Sequence, residues 1–308
     1  MKPGLLAAFL LLPAPAWAQP PNSANPAPVA PAEAPAEPRP AIWLLADADT
    51  RIYLFGSMHD LPRGFRWRSA AFDRIVRDAG ELVLEVNPRE VMQQQETAPR
   101  LAMQMSKSVP VLDRVSPDRR AGLMRALSEM DIPEGSLDRF ETWGVALLLG
   151  AGRYMPLIRG DSARDLDPAF GVEAALLDDF LFSDRIVLGA ESPTEMISGF
   201  RGMPLTEQRA MLDEAVDDYL AGGKVSESFE DRWVRGDLGG IAQAVGRLTP
   251  RLHDRMVARR NRNFTDWLVR RLERPGNILF VVGAGHLVER DSVLAMLESR
   301  GLRVQRIQ

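Results

Sequence analysis

A chain of 308 residues with no cysteine and a net charge of −4 excludes disulfide staples, thiolate metal sites, cysteine nucleophiles and a lipid-modified cysteine anchor. Its mild acidity gives no electrostatic case for nucleic acid as a partner. Any metal must be held by His, carboxylate, carbonyl or water.

In chain order, residues 1–18 read as an export signal. Lys2 supplies the charged start, Leu5 to Leu12 an apolar run too short to span a bilayer, and Ala16-Trp17-Ala18 a small-x-small cleavage site. Pro13 and Pro15 argue against a retained anchor helix there. The expected location is periplasmic or secreted. No later apolar run approaches the ~18 residues of a spanning helix, so no transmembrane anchor is expected after cleavage. Residues 19–40, rich in Pro and Ala, read as a disordered linker. The remainder, 41–308, reads as one globular domain of roughly 270 residues.

That domain opens with a hairpin, Ile42 to Leu45 and Ile52 to Phe55, around the turn cluster Asp47-Ala48-Asp49-Thr50. Gly56-Ser57-Met58-His59 follows, then a helix over Ser69 to Asp78 with Phe72, Ile75 and Val76 on one face, then a strand over Leu82 to Val86. The region from 89 to 275 reads as mostly helical. Ser116-Pro117 caps a helix carrying Leu123, Met124, Leu127 and Met130 on one face. Leu205 to Leu220 repeats that spacing. A strand over Arg185 to Gly189 interrupts the region, and an Arg-rich helix from His253 to Leu272 closes it. The end is a strand (Asn277 to Val282), Gly283-Ala284-Gly285-His286, a helix over Asp291 to Ser299 stopped by Gly301, and an edge strand over Leu302 to Ile307. The predicted fold is α/β (α+β): a mixed central sheet covered by helices, with a large, mostly helical insertion between two strand–Gly-x-x-His–helix–strand units.

Those two units carry the candidate chemistry. A Gly at a strand end permits a tight turn and unusual φ angles. A His just beyond it faces the loops at the carboxyl edge of the sheet, where open α/β sheets bind ligands. The chain has three His, and two of them, His59 and His286, occupy equivalent positions. Imidazole is the commonest metal ligand and the usual general base near neutral pH. Glu85 interrupts an apolar strand, where a charge is costly unless paired or bound to a cation. A place for that strand beside the first His unit would bring Glu85 to His59. Glu191 ends the second apolar strand, ahead of the capping box Ser192-Pro193-Thr194-Glu195. Of Arg259, Arg260 and Arg262, most make a solvated face and one turned inward could clamp a carboxylate. His253 is expected on the surface. The motifs of zincins, nucleophile-elbow hydrolases and P-loop proteins are absent from the sequence.

Tyr53 to His59, Glu85, Glu191, Arg260-Asn261 with Trp267, and Val282 to Val288 together resemble the TraB/GumN family, which includes the Tiki proteins. The resemblance spans about 41–307. It implies a relation to erythromycin esterase-like and ChaN-like folds, and a peptidase dependent on a divalent metal ion, Mn2+ or Co2+, with Zn2+ also compatible. Carried over, His59 and His286 would be metal ligands or catalytic bases, and Glu85 a ligand or the base that activates water. Arg260 would orient substrate or the carboxylates, and Glu191 would be a second acid. The expected substrate is a peptide or protein in the cell envelope. The alternative that the ChaN-like relation implies is a non-catalytic envelope protein that binds haem or sequesters a peptide. Two positions depart from the family pattern: Glu289 stands where Gly is frequent, and Gly171-Val172-Glu173 stands for a Gly-x-Asp segment.

Overall fold

The computed structural model describes residues 37–87, 108–152, 166–167, 171–221, 229–245 and 253–308. The expected export signal, and the expected linker up to residue 36, lie outside the described residues. Residues 37–40 are tied to the domain: the Arg39 N–H donates to the Val234 carbonyl at 2.7 Å, and Gln308 Nε2 donates to the Pro40 carbonyl at 2.8 Å.

Strands β1 (Ile42–Ala46) and β2 (Thr50–Ser57) form the expected antiparallel hairpin. Asp47 Oδ1 holds its turn by accepting from the backbone N–H groups of Asp49 and Thr50. A short ladder of β3 (Leu61–Pro62) with β5 (Leu166–Asp167) stands apart. The main sheet adds β4 (Glu81–Val86), β6 (Ile186–Glu191), β7 (Gly276–Gly283) and β8 (Val304–Arg306), in the order β6-β4-β7-β2-β1-β8. The four strands β6, β4, β7 and β2 run parallel; β1 and β8 complete a mixed sheet by antiparallel pairing.

Helices cover both faces. Helix α1 (Ala70–Asp78) starts where expected, with Ser69 Oγ accepting the Phe72 N–H. Helices α2 (Arg120–Glu129), α3 (Thr142–Gly152), α4 (Val172–Phe182), α5 (Pro193–Arg201), α6 (Leu205–Ala221), α7 (Phe229–Trp233) and α8 (Gly239–Val245) follow. A π-helical turn, Asp254–Ala258, leads into α9 (Arg259–Arg271), and α10 (Val293–Ser299) precedes β8. The central strands are buried on both sides, which is why they read as unbroken apolar runs. Leu279 and Val281 of β7 join a core with Phe55, Phe72 and Phe180, while Ile278, Phe280 and Val282 join another with Phe264, Leu268 and Leu297. A third core, built on Leu123, Trp143, Leu212 and Val216, holds α2, α3 and α6 together.

Several local expectations are corrected. Ser116 does not cap α2; a turn of 3-10 helix, Pro117–Arg119, intervenes, and the Ser116 N–H and hydroxyl both bind the Asp213 carboxylate. Met124 is 54 % exposed, because the face of α2 against α6 carries Leu123 and Leu127 instead. Leu212 and Val216 of α6 are buried as expected, while Leu220 at its end lies over Gly122 of α2 and stays 39 % exposed. Strand β4 lies between β6 and β7, not beside β2, so Glu85 neighbours the second His unit in the sheet.

Helix α9 is fastened along β4 at both ends. Near its C-terminus, buried Arg271 makes a two-pronged pair with Glu81, Nε to Oε2 at 3.0 Å and Nη2 to Oε1 at 2.8 Å. At its start, Arg260 Nη2 donates to Glu85 Oε2 at 2.6 Å. Glu81, Val83 and Glu85 share one face because strand side chains alternate. A single strand face thus fixes the helix that supplies the site's cation.

Candidate functional site

The parallel pairing of β2 with β7 aligns Ser57 with Gly283, so both Gly-x-x-His segments leave the sheet at the same edge. Neither glycine has a positive φ, contrary to the expectation from turn geometry; close approach is their reason. A Cβ on Gly56 would lie 2.9 Å from Ala284 Cα. A Cβ on Gly283 would lie 3.1 Å from His59 Nε2 and 3.2 Å from Glu85 Oε1. His59, Glu85 and the start of the second unit therefore meet around a point that only glycine leaves open.

His286 sits in the 3-10 turn Ala284–Leu287, buried against Phe264 with ring centroids 5.3 Å apart. Its Nε2 lies 3.2 Å from Arg260 Nη1 and 3.6 Å from Glu85 Oε1. A guanidinium only donates, so Nε2 accepts and is unprotonated. Nδ1 then carries the hydrogen and donates to Asn261 Oδ1 at 2.6 Å, and Asn261 is held in turn by the Asp291 carbonyl at 2.7 Å. Burial pushes the His286 pKa down, to about 4, with Arg260 and His59 adding to the fall and Glu85 opposing it.

His59 has the opposite environment. Its Nδ1 is 2.8 Å from Glu173 Oε1, and a carboxylate only accepts, so Nδ1 is the donor. The Glu173 hydrogen bond, joined by the charges of Glu173, Glu85 and Asp60, outweighs desolvation and raises the His59 pKa to about 9. Glu173 Oε1 also accepts the Ser57 hydroxyl. Helix α4 delivers Glu173 because the Val172 N–H docks on the Met58 carbonyl at 3.1 Å.

Glu85 accepts the Gly283 N–H on Oε1 at 2.6 Å and Arg260 on Oε2. Burial alone would raise its carboxyl pKa, but Arg260, His286, His59 and the Gly283 N–H overcome that and hold it at about 2. Glu191 ends β6 with its side chain 4 % exposed and accepts Arg260 Nε at 2.8 Å, with Nη2 on the same oxygen. Burial would lower the Arg260 pKa; Glu85 and Glu191 raise it instead.

The structure thus brings all five sequence-predicted residues, His59, Glu85, Glu191, Arg260 and His286, to one edge of the sheet. Arg260 is the inward arginine, while Arg259 and Arg262 are exposed. His253 is half-buried rather than on the surface, with Nδ1 3.9 Å from Asp291 Oδ2. Sequence reading gave no role to Glu173, Ser57 or Asn261. Glu173 carried a signal, as the acidic residue of Gly171-Val172-Glu173, but nothing in the chain order tied it to His59. Among the described residues no group of three or more His, Asp or Glu side chains is gathered as a ready-made metal cage. The guanidinium of Arg260 stands between the Glu85 and Glu191 carboxylates.

No curated protein and no solved structure matches the chain. The model of the TraB/PrgY/gumN family matches residues 41–306, from the first strand through the last and so across every element of the site, and the chain belongs to that family.

Proposed function

We propose that the protein is an exported hydrolase that depends on a divalent metal ion, peptidase-like, acting on a peptide or protein in the cell envelope. The observation that carries this reading is that His286 Nε2 lies 3.6 Å from Glu85 Oε1 and that His59 Nε2 and Glu85 Oε1 flank the same space beside Gly283, with the Nδ1 of each ring tied to an acceptor. Such ties fix the tautomer and aim Nε2, a common arrangement around metal-binding histidines. The donor set therefore fits a divalent ion in kind. His286 Nε2 and Glu85 would hold it, with His59 Nε2 as third donor once its proton has left. When bound, the ion would polarise the scissile carbonyl and acidify a water.

The chain's own residues supply the rest. Arg260 is placed to steady negative charge on the reacting carbonyl oxygen. Glu191 and Glu85 hold its guanidinium in plane and in register. Glu173 orients His59 and balances its charge. Glu85, held near a pKa of about 2, stays ionised through the neutral range and is suited to anchor rather than to take a proton.

The test is Mn2+ titration calorimetry on the mature chain, with His59→Ala and His286→Ala beside it, followed by mass spectrometry of a digested peptide library. Binding and cleavage in the wild type, each lost in both variants, support the reading. No Mn2+ binding by the wild type removes the metal. Metal binding without any cleavage leaves an envelope protein that holds a ligand.

A further inference from the structure

Beside the site a cleft of about 300 Å³ opens between α5 and the start of α9. Glu191 and Arg260 form its inner wall, so it is continuous with the reacting centre. Its apolar lining is Phe200 and Met203, with Phe200 stacked on buried Trp143 at 5.4 Å and 12°. On the rim Arg259 is exposed, and no ion pair or hydrogen bond joins its guanidinium to another residue among those described. Of the two guanidinium groups that line the cleft, Arg260 is matched by Glu85 and Glu191, while that of Arg259 faces no carboxylate among the described residues. The unbalanced charge favours an anion.

Gly199 is a second, independent observation. It lies inside α5 and lines the cleft, and an added Cβ would meet no atom within 4 Å. Its φ is not positive. A glycine within a helix is destabilising relative to alanine, and here neither packing nor backbone geometry requires it. What it leaves is room in the cleft.

We infer that this cleft is the substrate's anionic subsite, taking an apolar side chain against Phe200 and Met203 and a neighbouring carboxylate on Arg259. The volume is at the low end for ligand pockets and suits one amino-acid residue rather than a long segment. The carboxylate is either the C-terminus of a peptide or an acidic side chain next to the apolar one. The inference rests on the hydrolytic reading for its place beside the scissile bond, but the binding itself does not.

The experiment uses three probes on the mature protein, read by calorimetry: N-acetyl-leucine, N-acetyl-leucinamide and N-acetyl-leucyl-glutamyl amide. N-acetyl-leucine binding with Kd on the order of 1 mM, with the leucinamide bound at least about tenfold more weakly, identifies a C-terminal carboxylate. Binding of the glutamyl probe in place of N-acetyl-leucine identifies an acidic side chain. Arg259→Gln should weaken the bound probe about tenfold. Gly199→Phe should abolish binding, while Gly199→Ala keeps it and raises Tm. His286→Ala should bind the probe as the wild type does while losing hydrolysis, which separates this result from the hydrolytic reading. Equal affinity for the leucinamide, no effect of Arg259→Gln, or no binding of any probe by the wild type overturns the proposal.

Discussion

Glu173 Oε1 lies 2.8 Å from His59 Nδ1 and takes the Ser57 hydroxyl on the same atom, so one carboxylate fixes both the ring and the strand end that carries it. His59 is 61 % exposed on its side chain, yet this contact sets its titration. Glu173→Gln should bring the His59 pKa from about 9 back toward 6.5, read from the ring Cε1 proton by NMR. Hydrolysis should fall about 10- to 100-fold, as for partners that orient a functional histidine. An unmoved titration would show that Glu173 does not govern the ring.

Arg260 bridges Glu85 and Glu191, which are both largely buried. Removing it leaves two carboxylates without their counter-ion. Arg260→Ala should cost about 3–5 kcal/mol in urea unfolding. Arg260→Lys should recover only part, because one ammonium cannot reproduce a fork that reaches Glu85, Glu191 and His286 together. A loss well under ~1 kcal/mol for the alanine variant would place these carboxylates in contact with water.

Stability should fall toward acid in two stages. The His286 pKa is about 4 folded against 6.5 for a free histidine, so the unfolded chain binds the proton more readily, and stability drops as pH falls from 6.5 to 4. Glu85, at about 2 against 4.5, contributes stability that is fully present above 4.5 and lost as pH falls through 2. His59 runs the other way: its contribution is complete below 6.5 and lost as pH rises through 9, and it is small because the ring is exposed to solvent. Urea midpoints across pH should trace the acid limb, and His286→Gln should flatten it between 6.5 and 4. An unchanged limb in that variant sinks the assignment.

The two motif glycines should respond differently to alanine. Gly56→Ala sets a methyl 2.9 Å from the Ala284 backbone and should destabilise by about 1–3 kcal/mol. Gly283→Ala pushes instead on His59 and Glu85, side chains that can give way. It should spare most of the Tm while abolishing Mn2+ binding. Equal thermal losses in both would mean that Gly283 is structural.

Glu289 has φ +71°, in the left-handed region that favours glycine. This is the position where the resemblance put Gly, and the structure gives the reason. Glu289→Gly should stabilise by about 1 kcal/mol, measured by thermal unfolding. No gain would mean that contacts of the Glu289 side chain offset the backbone strain.

The hairpin, α1 and β7 were legible because their periodicity and turn residues agree with their burial. All five predicted site residues also meet, since Gly-x-x-His after an apolar strand states where a side chain leaves a parallel sheet. Glu85 does come close to His59, but from β4 across β7 rather than from a strand beside β2: the order β6-β4-β7-β2 depends on which strands cross over, which local patterning does not encode. Met124 differs from its apolar spacing because the buried stripe of α2 is narrow and runs through Leu123, Ala126 and Leu127. Glu173 and Asn261 stand in the segments that carry the resemblance, but their roles were not legible because each acts on an imidazole distant in sequence. The π-helical turn before α9 left no periodic trace, although one residue more or less there would rotate Arg260 by about 100°.

β7 is the seventh of the eight strands among the described residues and lies at the middle of the sheet, between β4 and β2. During synthesis, β2 and β4 emerge early and must wait with their inner edges unpaired until residues 276–283 arrive. Such edges template pairing with other chains. A growing or truncated chain would therefore carry His59 and Glu85 but neither the sheet centre nor a site, and would need shielding from aggregation until its last segment is made.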